Sequence, residues 1–194
     1  MARVMRTTGA LLATGALAIG TLTGCQLFVA KAPQRTPTAI EACATGHTWE
    51  LDTEAFTPVA QASMKERGLG VTVAVSGSQR LTWDEEFRMT FDTDLTFTGT
   101  VDGSDPVITQ TYTAKGTSTG LAYFSGTVAI PRDWNEDLAV RTETTQDGAP
   151  VDPAFTWVPL WIDDMVGLKT TCSAEQLQLE ARQGHLVWTF NRVG

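Results

Sequence analysis

Residues 87–106 read FRMTFDTDLTFTGTVDGSDP, and their alternation decides the fold class. Phe87, Met89 and Phe91 alternate with Arg88 and Thr90; Leu95, Phe97, Gly99 and Val101 then alternate with Thr96, Thr98 and Thr100. Successive side chains of an extended strand point to opposite faces, so this pattern makes one apolar face and one polar face. The β-branched threonines favour pleated geometry over helix. Asp102-Gly-Ser-Asp-Pro106 supplies the turn that ends the run. We read two adjacent strands here, one holding Phe87 to Phe91 and one holding Leu95 to Val101.

The same period continues on both sides. Upstream, Val71, Val73 and Val75 alternate with Thr72 and Ala74, and Ser76-Gly77-Ser78 reads as a turn. Downstream, Ile108, Gln110, Tyr112 and Ala114 face away from Thr109, Thr111 and Thr113. Residues 121–130 are apolar at both parities and read as one central strand ended by Pro131. Val140, Thr142 and Thr144 carry the pattern to Gln146-Asp-Gly148, and Val166, Leu168 and Thr170 resume it towards Cys172. Leu177 and Leu179, a glycine turn at Gly184, and Leu186, Trp188 and Phe190 form a closing hairpin. One helix is predicted between Pro58 and Arg67, with Thr57 as cap, Pro58 in the first position and Gly68 as stop. Strands in succession behind one short N-terminal helix predict a mainly β domain, an antiparallel barrel or a strongly curved sheet. A barrel removes the edges that so many threonine-rich strands would otherwise expose.

The amino terminus addresses location. MARVMR carries Arg3 and Arg6 and no acid, and an uncharged run of small and apolar residues, TTGALLATGALAIGTL, follows. That is the head and body of a secretion signal, too short and too diluted by small residues for a span of ~30 Å. It ends in Leu22-Thr-Gly-Cys25, which resembles the lipobox of bacterial lipoproteins. The resemblance implies an apolar pocket filled by Leu22, small residues at Thr23 and Gly24, a diacylglycerol thioether on the Cys25 thiol, and cleavage before it. A two-chain anchor holds stably where one chain holds marginally. The expected organisation is residues 1–24 as lipoprotein signal peptide, 25–41 as a proline-containing tether and 42–194 as the barrel domain. The expected location is the extracytoplasmic face of the cell membrane, lipid-anchored.

With Cys25 consumed by lipid, Cys43 and Cys172 remain, in a compartment that oxidises thiols. We read them as a disulfide joining the start of the domain to a point near its end. Metal ligation and redox activity are the alternatives; neither cysteine lies in a CxxC, and His47 is a lone companion.

Trp49-x-Leu51-Asp52, a short helix, a Val-rich strand with Ser-Gly, a chain of Thr-rich strands, Cys172, Leu177-x-Leu179 and Trp188-Thr-Phe-x-Arg192 together resemble the small lipocalin-like lipoproteins of actinobacteria. The resemblance spans most of residues 43–193. It implies a calycin-type barrel with an early cysteine paired to one before the penultimate strand, and it leaves the ligand open.

Composition and motifs exclude more than they assign. The segment 1–24 holds two of the 14 basic residues and none of the 22 acidic ones, so the remaining chain is more acidic than the full chain's net −8. Such a surface repels nucleic acid, and no nucleic-acid partner is expected. Gly116-Thr-Ser118-Thr-Gly120 fits the nucleophile pattern Gly-x-Ser-x-Gly, and Asp163 and His185 follow in hydrolase order. A strand pattern follows where the elbow requires a helix, so we read a glycine-bounded hairpin loop and assign no catalytic residue. Asp92-Thr-Asp94 starts like a calcium loop, but Thr96 breaks the spacing. Asp163 and Asp164 are adjacent and point apart if extended, and His47 and His185 stand alone, so no metal or cofactor is expected.

Function then turns on the barrel interior. Phe87, Met89, Phe91 and Phe97, with Trp157 and Trp161 of FTWVPLWIDD, are the candidate lining for an apolar guest. Gly99 and Gly126, read as mid-strand glycines, favour local space, while the large rings favour a closed core. The expectation is a non-catalytic membrane-anchored lipoprotein that binds an apolar or amphipathic small molecule. The alternative is a structural or accessory partner of a neighbouring envelope protein. Cys25→Ser is expected to leave an uncleaved precursor that takes up no labelled fatty acid in its host; incorporation at the wild-type level would contradict the lipobox reading.

Overall fold

The computed structural model describes residues 36–155, 167–181 and 186–193. The elements in order are α1 (Ala39–Ala44), β1 (His47–Leu51), α2 (Thr53–Glu66), β2 (Val71–Trp83), β3 (Arg88–Val101), β4 (Ile108–Ser125), β5 (Val128–Gln146), β6 (Ala149–Pro150), β7 (Leu168–Cys172), β8 (Gln176–Ala181) and β9 (Val187–Val193). Every pairing is antiparallel. The sheet runs β4-β3-β2-β1-β9-β8-β7-β5, and β5 pairs back onto β4, closing an eight-stranded barrel with β6 as a short appendage. The expected mainly β antiparallel barrel is therefore present. The seam is short: Val128 and Ala129 of β5 pair with Lys169 and Leu168 of β7, and the Thr170 N–H donates to the Thr127 carbonyl at 2.8 Å.

Several local expectations need correction. The stretch from Met89 to Val101 is one strand, β3, because Thr93 points inward and is held there by the Gln79 side chain at 3.1 Å. Ser76-Gly77-Ser78 is no turn; it lies inside β2, whose register with β3 is unbroken from Val71↔Val101 to Trp83↔Met89. Gly116 to Gly120 likewise lies inside β4 and forms no hairpin loop. The apolar run 121–130 is two strands, since Gly126 sits at φ +64° in the turn between β4 and β5, and Pro131 is inside β5. The helix starts at Thr53, capped by Asp52, whose carboxylate accepts from the Ala55 N–H at 2.9 Å. Pro58 is interior to that helix. A second helix, α1, takes residues 39–41 out of the expected tether; Thr38 and Glu41 form a reciprocal capping box.

Cys43 and Cys172 are bonded, with their Cα atoms 6.0 Å apart, as expected. The bridge fastens α1 to the last residue of β7. It closes a loop of 129 residues, and constraining so long a loop corresponds to about 5 kcal/mol in the chain-entropy picture.

The barrel is lopsided. β2, β3, β4 and β5 have 13, 14, 18 and 19 residues, while β1, β7, β8 and β9 have 5, 5, 6 and 7. β1 pairs only with residues 80–83 of β2, so the rest of that edge needs another partner. Gln61 of α2 supplies one, donating to the Val71 carbonyl and accepting from the Val73 N–H, each at 2.6 Å. This seats α2 against β2, with Phe56 reaching Phe97 of β3, and buries Phe56, Ala60 and Met64.

Two glycines let the long strands lie close. Gly77 has φ +99°, and a Cβ built on it would lie 2.1 Å from the Asp94 carbonyl oxygen; Gly116 has φ +141° and meets the Asp137 carbonyl oxygen at the same distance. No side chain fits there without moving backbone. Gly77→Ala is expected to cost about 2–4 kcal/mol, read as a lowered midpoint in urea unfolding; Gly126→Ala, with open space around it, should cost less. Equal losses at the two positions would contradict the close-approach account.

Candidate functional site

The interior comes first. On β3 the inward residues Met89, Phe91, Leu95 and Phe97 are 0, 2, 2 and 3% exposed. A void against these four residues would register as exposed area on them, so the space beside β3 is filled; further round the wall Val140 of β5, paired with buried Ala114 of β4, is 50% exposed. The rings account for the filling. Phe97 lies edge-on to Phe56 of α2 at 6.4 Å and to Tyr112 of β4 at 6.1 Å, and Phe56 stacks on Trp188 at 6.4 Å. Lower down, Phe91 meets Trp134 at 5.9 Å and Phe190 at 6.1 Å, and Trp83 stacks on Phe124 at 4.9 Å. Such pairs add about 0.5–1.5 kcal/mol each beyond area burial.

The predicted lining residues are only partly brought together. Met89, Phe91 and Phe97 share one face of one strand. Phe87 does not join them: it sits at φ +65° in the turn before β3, half-buried, its ring 5.6 Å from Tyr123 on the outer wall. The alternation that included it breaks because the turn from Asp84 reverses the chain there. Trp157 and Trp161 lie outside the described residues, as do Cys25, Asp163, Asp164, Gly184 and His185.

The interior also holds polar groups that sequence reading missed. Gln110 is fully buried; its amide oxygen accepts from the Thr144 hydroxyl and from the Ala154 and Phe155 N–H groups, and its amide nitrogen donates to the Phe155 carbonyl at 2.7 Å. It ties the chain after β6 to the barrel wall. Its only sequence signal is a polar residue at an inward parity between Ile108 and Tyr112. The indole N–H of Trp83 is buried and meets no acceptor among the described residues.

The outer wall offers a polar groove of about 360 Å³ over β2, β3 and β4. Its charges face one another: Lys115 lies 2.6 Å from Asp94, Arg80 4.0 Å from Glu50, and the Thr117 hydroxyl donates to Asp92 at 3.1 Å. Asp92 and Asp94 thus belong to cross-strand pairs on an exposed sheet. Ser118 of the Gly-x-Ser-x-Gly match is buried in mid-strand, paired with Phe91 on one side and Glu136 on the other. That is the reverse of a strained elbow presenting its hydroxyl. His47 opens β1, its Nδ1 3.0 Å from Arg192.

A third surface was missed altogether. Tyr123 and Ile130, paired across β4 and β5, are 43 and 36% exposed on the outer wall, with Phe87 against them. The signal was the run 121–130, apolar at both parities. In a single-layer barrel one of those parities has nothing outside it but solvent.

A scan of protein-family models finds no match to this chain, and a search of curated proteins finds none either.

Phe97→Ala is expected to lower stability by about 3–5 kcal/mol and to open a dry cavity. Benzene should then raise the unfolding midpoint of the variant and leave that of the unaltered protein unchanged. Equal stabilisation of both would contradict the filled interior.

Proposed function

We propose that this chain is a lipid-anchored extracytoplasmic accessory protein, of the lipocalin-like actinobacterial lipoprotein kind, that works through its outer surface on a neighbouring envelope protein and not by catalysis. The observation that carries this reading is the near-zero exposure of Met89, Phe91 and Phe97. A carrier needs interior space for its cargo; an accessory protein needs a rigid body with an exposed apolar patch. The rings of Phe56, Phe97, Trp188 and Phe190 occupy the interior of the barrel. The lipobox at Leu22–Cys25 and the charged head before it support the anchor. The Cys43–Cys172 bond is in keeping with an oxidising compartment.

The test is native mass spectrometry of the chain extracted from its own host membrane in mild detergent. The expected spectrum holds the cleaved chain plus its lipid anchor, and a co-purifying protein. One apolar small molecule retained per chain would restore the carrier reading.

A further inference from the structure

We infer that this chain pairs with a second copy of itself along one edge of β5, strand against strand, about a two-fold axis at Ala139. The inference is independent of the accessory reading. β5 has partners on both edges only near its ends: Val128 and Ala129 pair with β7, and Thr145 and Gln146 pair with β6. From Asp137 to Glu143, β4 lies along one edge, and among the described residues no strand lies along the other. Two bonds fix the main-chain direction there. The Thr144 carbonyl accepts from the Val151 N–H and so turns away from β4, while the Arg141 carbonyl accepts from the Thr113 hydroxyl of β4 at 3.5 Å. Alternation then aims the N–H and C=O groups of Leu138, Val140 and Thr142 away from β4, the edge arrangement that recruits another strand. The side chains on this stretch meet solvent: Val140 is 50% exposed, and Ala139, Arg141 and Thr142 are exposed as well.

Register selects the occupant. Antiparallel pairing of two β5 strands about Ala139 sets Leu138 across from Val140 of the second copy on the inner face, and Asp137 across from Arg141 of the second copy on the outer face. Each pair occurs twice by symmetry, and apolar and opposite-charge pairs are the favourable cross-strand neighbours. The even-numbered residues become the hydrogen-bonded pairs, as their main-chain direction requires. Glu136 and Glu143 stand across from Thr142 and Asn135, so no like charges meet. Arg132 and Asp133 lie at or past the register shift of the β4–β5 ladder, outside the paired stretch. On β4 the adjoining outer-face residues are Thr111, Thr113, Lys115 and Thr117, and Lys115 is held by Asp94 at 2.6 Å. Arg141 keeps Glu143 as its ion-pair neighbour on its own strand. The other two-fold registers are poorer. An axis at Val140 sets Asp137 against Glu143, one at Leu138 leaves Arg141 against Asn135, and axes at Asp137 or Arg141 set like charges against each other. The competing occupant is the chain's own segment 156–166, and Pro159 in its midst lacks the N–H that a ladder needs.

On the axis, two copies of Ala139 form a non-hydrogen-bonded pair with Cα atoms about 4.5 Å apart, within disulfide reach. The experiment therefore uses Ala139→Cys in the full-length chain, made in its own host and briefly oxidised in the membrane, with Glu143→Cys as comparison. Two copies of residue 143 would stand about 26 Å apart in this register. A disulfide-linked dimer from position 139 and none from 143 is the expected result, with the link mapped to residue 139. Adding Asp137→Arg should lower the dimer yield about tenfold, and adding Arg141→Asp as well should restore it. Peptide mapping that finds the Cys43–Cys172 bond intact confirms that each variant folds. No dimer from 139, equal dimer from 139 and 143, or a yield indifferent to the charge reversal would overturn the inference. A monomer whose Leu138, Val140 and Thr142 amides exchange slowly would give the edge to segment 156–166 and overturn it too. A co-purifying protein in the native spectrum would leave the accessory reading standing in each of these cases.

Discussion

The mismatch in strand length governs this barrel. β2–β5 run 13 to 19 residues and β1, β7, β8 and β9 only 5 to 7, so the upper inner face of the long wall has no strand opposite it. An apolar face left in water would forfeit about 25 cal/mol for each Å². Helix α2 covers its β2–β3 part, and the placement of α2 depends on Gln61, which serves the Val71 carbonyl and the Val73 N–H beyond the reach of β1. Gln110 does the same for the chain beyond β6, at Ala154 and Phe155. Two buried or half-buried glutamines thus satisfy backbone groups where strands run out, and each would be costly to replace with an apolar residue.

Covering the wall with a helix has a functional consequence. A barrel whose strands all match in length can enclose a cavity in its mouth. Here Phe56 and Met64 are buried at the α2 side, Phe97 and Trp188 close on Phe56, and Tyr112 packs against Phe97. Between α2 and β3, space that would hold a guest holds side chains. Among the described residues the outer surface carries a polar groove, where Arg80 and Lys115 face Glu50, Asp92 and Asp94, and an aromatic patch at Tyr123 and Phe87. The disulfide fastens α1 to the end of β7, and two residue pairs join β7 to β5.

The fold class was legible because a barrel reads one parity as inside, and from Met89 to Val101 that parity is apolar except at Thr93. Alternation does not show where a strand ends. Gly77 and Gly116 carry the same residue type as Gly126, yet the first two are close approaches inside strands and the third is a turn. The difference lies in which carbonyl stands opposite, a tertiary fact. Pro58 misplaced the helix start because Asp52, five residues further upstream than Thr57, offers the better cap and α2 tolerates an interior proline. The disulfide was expected from the pair of cysteines that remains once Cys25 is set aside, and from the expectation of an oxidising compartment. Phe87 was assigned to the interior by extending a period one residue past the point where the chain turns. The outer patch lay in plain view as a doubly apolar run, one parity of which faces the outside of the barrel at Tyr123 and Ile130.

The central claim is that side chains, and not a guest, fill the space around Phe91 and Phe97. A crystal of the protein pressurised with xenon tests it most directly, because xenon enters dry apolar voids and shows their position by its scattering. The account requires no xenon site among Phe56, Met89, Phe91, Phe97 and Phe190. An ordered xenon atom bound between the β3 rings and α2 would contradict it, and would return the barrel to the class of ligand carriers.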